Sequence, residues 1–151
     1  MKESLLISAC LLGVACRYDG ASRPLDPAAL AALRERFQLI PVCPETLGGL
    51  PTPRPPAERR GDVVRNSAGE DVTAQYTRGA AEARRLAAFF GCRQALLKER
   101  SPSCGSGAVY DGSFTGTLRT GDGVAAEALK ADGVAVYGES ELQALLQQTT
   151  A

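Results

Sequence analysis

Three cysteines each follow an apolar, strand-like run of the chain, a position from which a thiol can take part in chemistry. The pairs of run and cysteine are Leu5–Ala9 with Cys10, Leu39–Val42 with Cys43, and Cys92–Leu97 with Cys104 in the loop that follows. A rigid strand fixes the direction of the side chains in the loop that it enters. Because the carboxyl ends of parallel strands share one edge of a sheet, we expect these thiols to meet there.

The chain contains no histidine, and this limits the chemistry open to it. Ser-His-Asp and Cys-His catalysis are excluded, as are histidine-ligated zinc, Rieske clusters and the two-histidine iron site. A metal must therefore be held by thiolates or carboxylates, and a general base must be Glu, Asp, Lys, Tyr or Cys. The five cysteines, an odd number, also argue against a disulfide framework.

Three convergent thiolates suit a soft metal centre: an iron–sulfur cluster, zinc or copper(I). The alternative for any one cysteine is a small buried apolar side chain, and we expect this of Cys92 because it begins its strand. The spacing alone is not diagnostic, since Cys-x-x-Cys pairs are absent. Cys16 stays open between a fourth ligand, a sulfur acceptor and a thiol that lines the pocket.

A carboxylate accompanies the second thiol. Glu45 follows Cys43 by two residues on a proline-stiffened loop. Beside a metal, such a carboxylate can act as a general base that activates water. The alternative is that Glu45 caps a neighbouring loop or pairs with Arg17 or Arg54.

Two hydroxyls accompany the third thiol. Ser101 and Ser103 flank Pro102 in the loop that carries Cys104. Their hydroxyls can orient a polar ring or bond the loop backbone. With no histidine beside it, Ser101 is a poor nucleophile, so positioning is its expected role.

Composition places the chain among ordinary globular proteins. Its 151 residues are 44% apolar and 23% charged, with a formal net charge of zero. These values predict a single domain over residues 1–151, give no strong nucleic-acid signal and are compatible with a monomer. No apolar run has membrane-spanning length and no signal-peptide pattern opens the chain, so we expect a cytoplasmic protein without membrane partners.

Strands and helices alternate along the sequence, as judged from continuous apolar runs and from apolar residues at three- and four-residue spacing. The predicted strands are Leu5–Ala9, Gln38–Val42, Cys92–Leu97 and Val134–Tyr137, and the predicted helices are Ala28–Arg36, Val72–Phe90, Val124–Ala131 and Glu139–Gln148. This order predicts an α/β fold: a three-layer sandwich around a mostly parallel, Rossmann-like sheet of about four strands.

Two long segments rich in proline and glycine interrupt this alternation, and we expect them to wall the active site. In residues 44–71 the prolines favour extended backbone over helix, and Val63–Asn66 with Glu70–Val72 predicts a surface hairpin. Residues 105–123 form the second loop, with an extended piece around Ser113–Leu118.

Local signals refine the helices and turns. Gly91 is expected to end the longest helix as its C-cap, and Ser140 to cap the last helix. Gly48-Gly49 predicts a tight turn or a close approach to a bound molecule. The longest helix is expected to turn one apolar stripe toward the sheet: Tyr76, Ala80, Ala83, Ala87 and Phe90.

Three motifs in a fixed order identify a family. They are Ser8–Gly13 with Cys16–Gly20, then Pro41–Glu45 with Leu47–Leu50 and Thr52–Arg54, then Lys98–Gly105. Together they closely resemble the small thiouracil desulfurases, the TudS-like family, and the resemblance covers nearly the whole chain. The resemblance implies a [4Fe-4S] cluster held by only three cysteines, which leaves one iron free.

The motifs contain four cysteines, one more than such a cluster needs. Their places at strand ends lead us to expect Cys10, Cys43 and Cys104 as the ligands. Cys16 then lies beside the cluster as a catalytic or pocket thiol. Ser103 is expected in the same surroundings, near the substrate.

The resemblance also implies non-redox desulfuration of a small thiolated pyrimidine. On this expectation the free iron would bind the thiocarbonyl sulfur and polarise the C–S bond, and Glu45 would take a proton from the water that attacks the carbon. Ser101 would hold the ring or relay a proton. Sulfur is exchanged for oxygen, so 2-thiouracil becomes uracil and sulfide is released.

Three alternatives remain. An iron–sulfur electron carrier would use Cys16 as a fourth ligand and would need neither a carboxylate nor a substrate pocket. A zinc-thiolate binding module would be colourless, whereas a cluster protein prepared without air is brown. The last alternative is a plain α/β domain with buried thiols.

Overall fold

The structure, a computed structural model, describes residues 2–148. Their strands are β1 (Glu3–Ser8), β2 (Phe37–Val42), β3 (Ala57–Arg60), β4 (Val63–Asn66), β5 (Gln94–Leu97), β6 (Ala108–Tyr110), β7 (Leu118–Thr120) and β8 (Ala135–Gly138). Their helices are α1 (Pro27–Arg36), α2 (Pro44–Leu47), α3 (Thr73–Phe90), α4 (Val124–Ala131) and α5 (Leu142–Leu146).

A parallel sheet with the order β2-β1-β5-β8 forms the centre of the fold. The predicted α/β fold with a four-stranded parallel sheet is therefore confirmed. Pro41 lies opposite Ile7 in the register of β1 and β2. A proline is tolerated there because β2 is an edge strand and one side of it makes no ladder.

Helices cover both faces of this sheet, which confirms the predicted three layers. Successive residues of β1 point to opposite faces, so Leu6 packs in one apolar cluster and Leu5 and Ile7 in another. These clusters include Ala83 of α3 and Leu129 of α4 on one face, and Leu33 of α1 and Leu145 of α5 on the other. Cys92 is buried in the first cluster, as predicted.

Helix ends follow their capping signals. Asp26 accepts a hydrogen bond from the Ala29 backbone N–H at 2.8 Å, and a proline occupies the first position of α1. Gly91 ends α3 in the left-handed region, with φ +66°.

The expectation that Phe90 faces the sheet is wrong: Phe90 is 40% exposed and packs edge-to-face on Phe89, with ring centroids 5.0 Å apart.

The segment 44–71 is more ordered than its prolines suggest. Pro44 begins the short helix α2, because proline is tolerated at the first helical position. The predicted hairpin is present as a short pairing: Asp71 bridges Arg65, and the backbone N–H groups of Asn66 and Val72 donate to the carbonyl oxygens of Glu70 and Val64, each at 2.9 Å. The sequence pattern did not predict β3, which pairs with β4 across a turn at Gly61.

Two glycines let α2 pack directly against α3. A Cβ on Gly48 would lie 2.0 Å from the Gln75 carbonyl oxygen, and one on Gly79 would lie 1.9 Å from the Pro44 carbonyl oxygen. The close approach predicted at Gly48 is therefore an approach to a helix and not to a bound molecule. The tight turn follows at Gly49, whose φ is +94°.

The second loop and the C-terminal region also differ from expectation. β6 and β7 form an antiparallel hairpin, and most of the predicted extended piece Ser113–Leu118 is the connection between them. The predicted last helix divides into a 3₁₀ turn, Glu139–Glu141, and α5. Ser140 does not cap either piece: Gly138 and Glu141 stand at their N-cap positions, and the Ser140 hydroxyl donates to the Glu99 carboxylate.

Within residues 2–148, no helix is both long enough and apolar enough to span a bilayer.

Candidate active site

The carboxyl ends of β1, β2 and β5 border a cavity of about 500 Å³. The chain leaves β1 for β2 on one side and reaches β5 on the other, so the cavity lies where the strand order reverses. Ligands bind at this position in open α/β sheets. Both long loops contribute walls, the first through residues 54 and 56–58 and the second through Tyr110, Phe114 and Gly116.

All four motif cysteines line this cavity, and Cys92 does not. Cys10 lies in the 3₁₀ turn after β1, Cys43 precedes α2, and Cys104 lies in the loop after β5. The Cys43 thiol lies 3.8 Å from the Cys16 carbonyl oxygen. The structure thus brings together the predicted ligands and the additional thiol of Cys16, all of them as free thiols.

Burial controls the protonation of these thiols. It raises the pKa of Cys10 to about 11 and the pKa values of Cys16 and Cys104 to about 12. The adjacent Cys43 raises the pKa of Cys10 and Cys16 further, because two thiolates would repel each other. Each of these thiols keeps its proton at neutral pH unless a metal cation displaces the proton. Thiolates bind soft metal cations in preference to hard ones.

The loop that carries Cys104 is fixed from within by Ser101. The Ser101 hydroxyl accepts hydrogen bonds from the backbone N–H groups of Ser103 and Cys104, each at 3.1 Å. At the start of the loop, the Lys98 N–H donates to the Ser8 hydroxyl at 2.9 Å. The turn therefore holds both hydroxyls and the thiol in one orientation.

The N-terminal end of α4 fixes the same loop from outside. Its N–H groups at Val124 and Ala125 donate to the carbonyl oxygens of Pro102 and Ser103, at 2.8 and 2.9 Å. The contact is close, since a Cβ on Gly123 would lie 2.5 Å from the Ser103 carbonyl carbon. The loop carbonyls thus satisfy helix donors that would otherwise lack partners.

Glu45 forms the ion pair with Arg54 that the sequence offered as one alternative, and it also lines the cavity. Its Oε2 accepts from Arg54 Nε at 2.9 Å and Nη2 at 2.6 Å. Its Oε1 accepts from the hydroxyls of Ser103 at 2.9 Å and Ser101 at 3.2 Å. The carboxylate is therefore held in one orientation between a cation and two hydroxyls.

Sequence reasoning gave no role to several residues of this cavity. The sequence predicts Arg54 only as a possible partner of Glu45, and Tyr76 only as part of the apolar stripe of α3, yet both line the cavity. Tyr76 is 2% exposed, and its burial, together with the Glu45 charge, raises the pKa of its hydroxyl. The Thr46 hydroxyl, 3.2 Å from the Cys43 sulfur, was also missed. Arg54 and Tyr76 reach the cavity from segments that sequence pattern alone does not relate to it, whereas Thr46 lies only three residues after Cys43.

Charged residues at the strand ends pair with one another. Lys98, which lines the cavity, lies 2.7 Å from a carboxylate oxygen of Glu139. Glu139 also accepts the Glu99 N–H at 2.6 Å, and the Ser140 hydroxyl donates to the Glu99 carboxylate. These contacts join the ends of β5 and β8.

The donor set suits an iron–sulfur cluster in kind: four cavity thiols, three of them buried, with no imidazole. Among residues 2–148, no three Cys, Asp or Glu side chains are grouped closely enough to hold one metal ion, as the zinc-thiolate alternative requires. A cluster makes a different demand, because each cysteine binds a different iron.

Comparisons with known proteins agree on one relationship. The chain is 41% identical to the uncharacterized protein YbbK of Bacillus subtilis (strain 168), over 94% of this chain and 99% of that protein. It is also similar to the solved structure of a [4Fe-4S]-dependent thiouracil desulfidase, TudS, with a TM-score of 0.91 and 48% identity over 95% of each chain. A family model for 2-thiouracil desulfurases matches residues 5–141. The chain belongs to the 2-thiouracil desulfurase family.

Proposed function

We propose that this protein is a [4Fe-4S]-dependent thiouracil desulfurase that replaces the sulfur of 2-thiouracil by oxygen and releases sulfide. The observation that carries the proposal is the convergence of four thiols and the Glu45–Ser101–Ser103 group on one cavity. Membership of the family and the likeness to TudS support it.

Cys10, Cys43 and Cys104 are the residues that would hold the cluster, because each of the segments that follow the three adjacent strands β1, β2 and β5 supplies one of them, and Cys10 is the first thiol after β1. A cluster bound by three cysteines supplies an iron that can bind the substrate sulfur and polarise the C–S bond. Cys16 lies further along the segment that follows β1, after Cys10, and its carbonyl oxygen is 3.8 Å from the Cys43 thiol. We assign it to the wall of the pocket.

Glu45 accepts a proton from the water that attacks the thiocarbonyl carbon. Its Oε1 is the oxygen for this step, because Arg54 occupies Oε2. Ser101 and Ser103 both contact Oε1, so they can orient the ring or the water and pass a proton to the carboxylate. One water enters and sulfide leaves, with no net transfer of electrons.

The test is an anaerobic preparation that contains the cluster, incubated with 2-thiouracil. We expect brown protein, iron and acid-labile sulfide in the ratio of a [4Fe-4S] cluster, and equal amounts of uracil and sulfide as products. The matched control is the Cys104→Ser variant, which should contain neither iron nor activity. Wild-type protein that contains the cluster but leaves thiolated pyrimidines unchanged would contradict the proposal.

A further inference from the structure

Arg54 is unusual among the arginines of this cavity because it is almost completely buried, at 8% exposure. A guanidinium has five N–H donors in a rigid fork. Here Nε and Nη2 reach Glu45 Oε2, Nη2 also reaches the Cys16 carbonyl oxygen at 3.0 Å, and Nη1 reaches Pro51 O and Thr52 Oγ1, each at 3.1 Å. All three nitrogens therefore have acceptors.

These contacts join the proline-rich segment that carries Arg54 to two other parts of the site, the loop after β1 and the start of α2. The Arg54 side chain binds the loop of Cys16 and the start of α2 at Glu45, and its backbone N–H donates to the Tyr18 carbonyl oxygen at 2.8 Å. The residue lies in the proline-rich segment, which positions it without a helix or strand of its own. Arg54 thus fixes Glu45 relative to the loop that follows β1.

The fork also distinguishes the two carboxylate oxygens. Both guanidinium contacts end on Oε2, at 2.9 and 2.6 Å, while both serine hydroxyls end on Oε1. Charge-assisted bonds of this kind define direction as well as distance. Without the two bonds from Arg54, the Glu45 carboxylate could rotate, and Oε1 would lose its contacts with the hydroxyls of Ser101 and Ser103.

We propose that Arg54 is a positioning residue for the desulfuration reaction: it holds Glu45 so that Oε1 alone faces the serines and the attacking water. The inference rests on the proposed function. The side-chain hydrogen bonds of Arg54 go to Glu45, to Thr52 and to the backbone carbonyls of Pro51 and Cys16, so its role in the reaction is exerted through Glu45. A lysine cannot take its place, because one ammonium cannot bind Oε2 and the Cys16 carbonyl in the same planar arrangement.

The test compares Arg54→Lys and Arg54→Ala with Arg84→Lys, a control at the exposed two-bond ion pair of Arg84 with Asp132. Iron per chain, Tm, kcat and KM are measured for each variant. We expect Arg54→Lys to keep its iron and its KM and to lose about 100-fold in kcat, the loss typical of a misplaced catalytic group. Added guanidinium should restore part of the kcat of Arg54→Ala, and Arg84→Lys should match the wild type.

Three results would overturn the inference: wild-type kcat in Arg54→Lys, loss of iron from Arg54→Lys, or no response of Arg54→Ala to guanidinium. Loss of iron would make Arg54 a structural support of the ligand loops. The wild type serves as the control for the underlying reaction. If it contains the cluster and releases no sulfide, the proposed function fails, whereas an active wild type beside an equally active Arg54→Lys removes only the role of Arg54.

Discussion

At the scale of single residues, Glu45 shows how a partly buried carboxylate can be held ready for proton transfer. It receives two donors from Arg54 on one oxygen and one hydroxyl each from Ser101 and Ser103 on the other. The Arg54 and Glu45 side chains are 4% and 12% exposed, so bulk water competes little for these contacts. A carboxylate fixed in this way needs little reorganisation when it accepts a proton.

Replacing Glu45 with Gln should abolish turnover without loss of the cluster. The amide keeps the size of the side chain but cannot accept the proton from water, and loss of a general base costs about 10²- to 10⁴-fold in rate. Sulfide release and iron per chain are the two measurements. Retained activity would remove Glu45 from the mechanism.

Replacing Ser101 with Ala should lower kcat and leave the iron content unchanged, because the hydroxyl contacts Glu45 and the loop backbone. We expect a loss of about 10-fold or more, since each lost bond to a charged group weakens positioning by about 1.5–3 kcal/mol. The same assay of sulfide and iron applies. Loss of iron instead would place Ser101 among the ligands or their direct supports.

The four cavity thiols should separate into ligands and a non-ligand. Serine at Cys10, Cys43 or Cys104 should abolish iron binding, whereas Cys16→Ser should keep the cluster. Cys92→Ala is the matched control, because that thiol lies in the core away from the cavity. Iron lost from Cys16→Ser would favour a fourth cysteine ligand, as an electron carrier requires.

At the scale of elements, the placement of Cys43 and Glu45 depends on the contact between α2 and α3. Gly48 and Gly79 meet the backbone of the opposite helix at distances that leave no room for a methyl group. The two glycines therefore set how deeply the start of α2 enters the fold. Since Glu45 lies in the first turn of α2, this contact also sets the position of Glu45 relative to the sheet.

Gly79→Ala provides a test in which two effects have opposite signs. Helix propensity alone would stabilise α3 by about 1 kcal/mol. Overpacking against Pro44 should cost about 1–3 kcal/mol or more, and we expect it to prevail because backbone, not a flexible side chain, stands in the way. The free energy of unfolding from denaturant titration measures the sum.

The control for this variant is Ala81→Gly, on the exposed side of the same helix. It should lose about 1 kcal/mol through propensity alone and keep its iron. Gly79→Ala should lose both stability and part of its iron. A more stable Gly79→Ala would show that α2 can move away without cost.

At the scale of the whole molecule, the strand order decides which loops meet. β1, β2 and β5 are neighbours in the sheet, so the segments that follow them share one edge although they are far apart in sequence. Three such segments supply the predicted ligands. A group that binds all three can exist only in the folded chain, and its binding must therefore stabilise the fold.

Removal of the cluster should lower the Tm of the wild type. A group present at 100 times its Kd stabilises a protein by about 2.7 kcal/mol. In a domain of this size each kcal/mol shifts Tm by about 2–4 °C. Thermal unfolding before and after anaerobic chelation measures the shift, and Cys104→Ser should show none.

Much of the site could be predicted because its signals are local. Cys10, Cys43 and Cys104 stand at the ends of recognisable strands, and Glu45 lies beside one of them. The pairing of Arg54 with Glu45 could be named as an alternative from the sequence, but the hold of Arg54 on the Cys16 loop could not, since that contact joins residues 38 positions apart. Tyr76 fits an apolar stripe equally well whether or not its hydroxyl faces a cavity.

In the fold, too, elements with a local sequence signal could be predicted, and elements that depend on a partner elsewhere in the chain could not. α4 was predicted at its observed bounds because its apolar spacing and flanking glycine are clear. β3 was missed, since Ala57–Arg60 is mostly charged and is extended only because β4 pairs with it. A single domain over residues 1–151, a monomer and a cytoplasmic location stay predictions.

The contact of α4 with the Cys104 loop has an electrostatic consequence. The carbonyl dipoles of Pro102, Ser103 and Gly105 end on N–H groups at or before α4, and among the described residues none of α4 lines the cavity. The negative ends of these peptides are thus turned away from the cavity, which lowers the repulsion that an anion there would meet. Hydrosulfide, the leaving group of the proposed reaction, is such an anion, so the same contact that stiffens the loop also favours its departure from carbon.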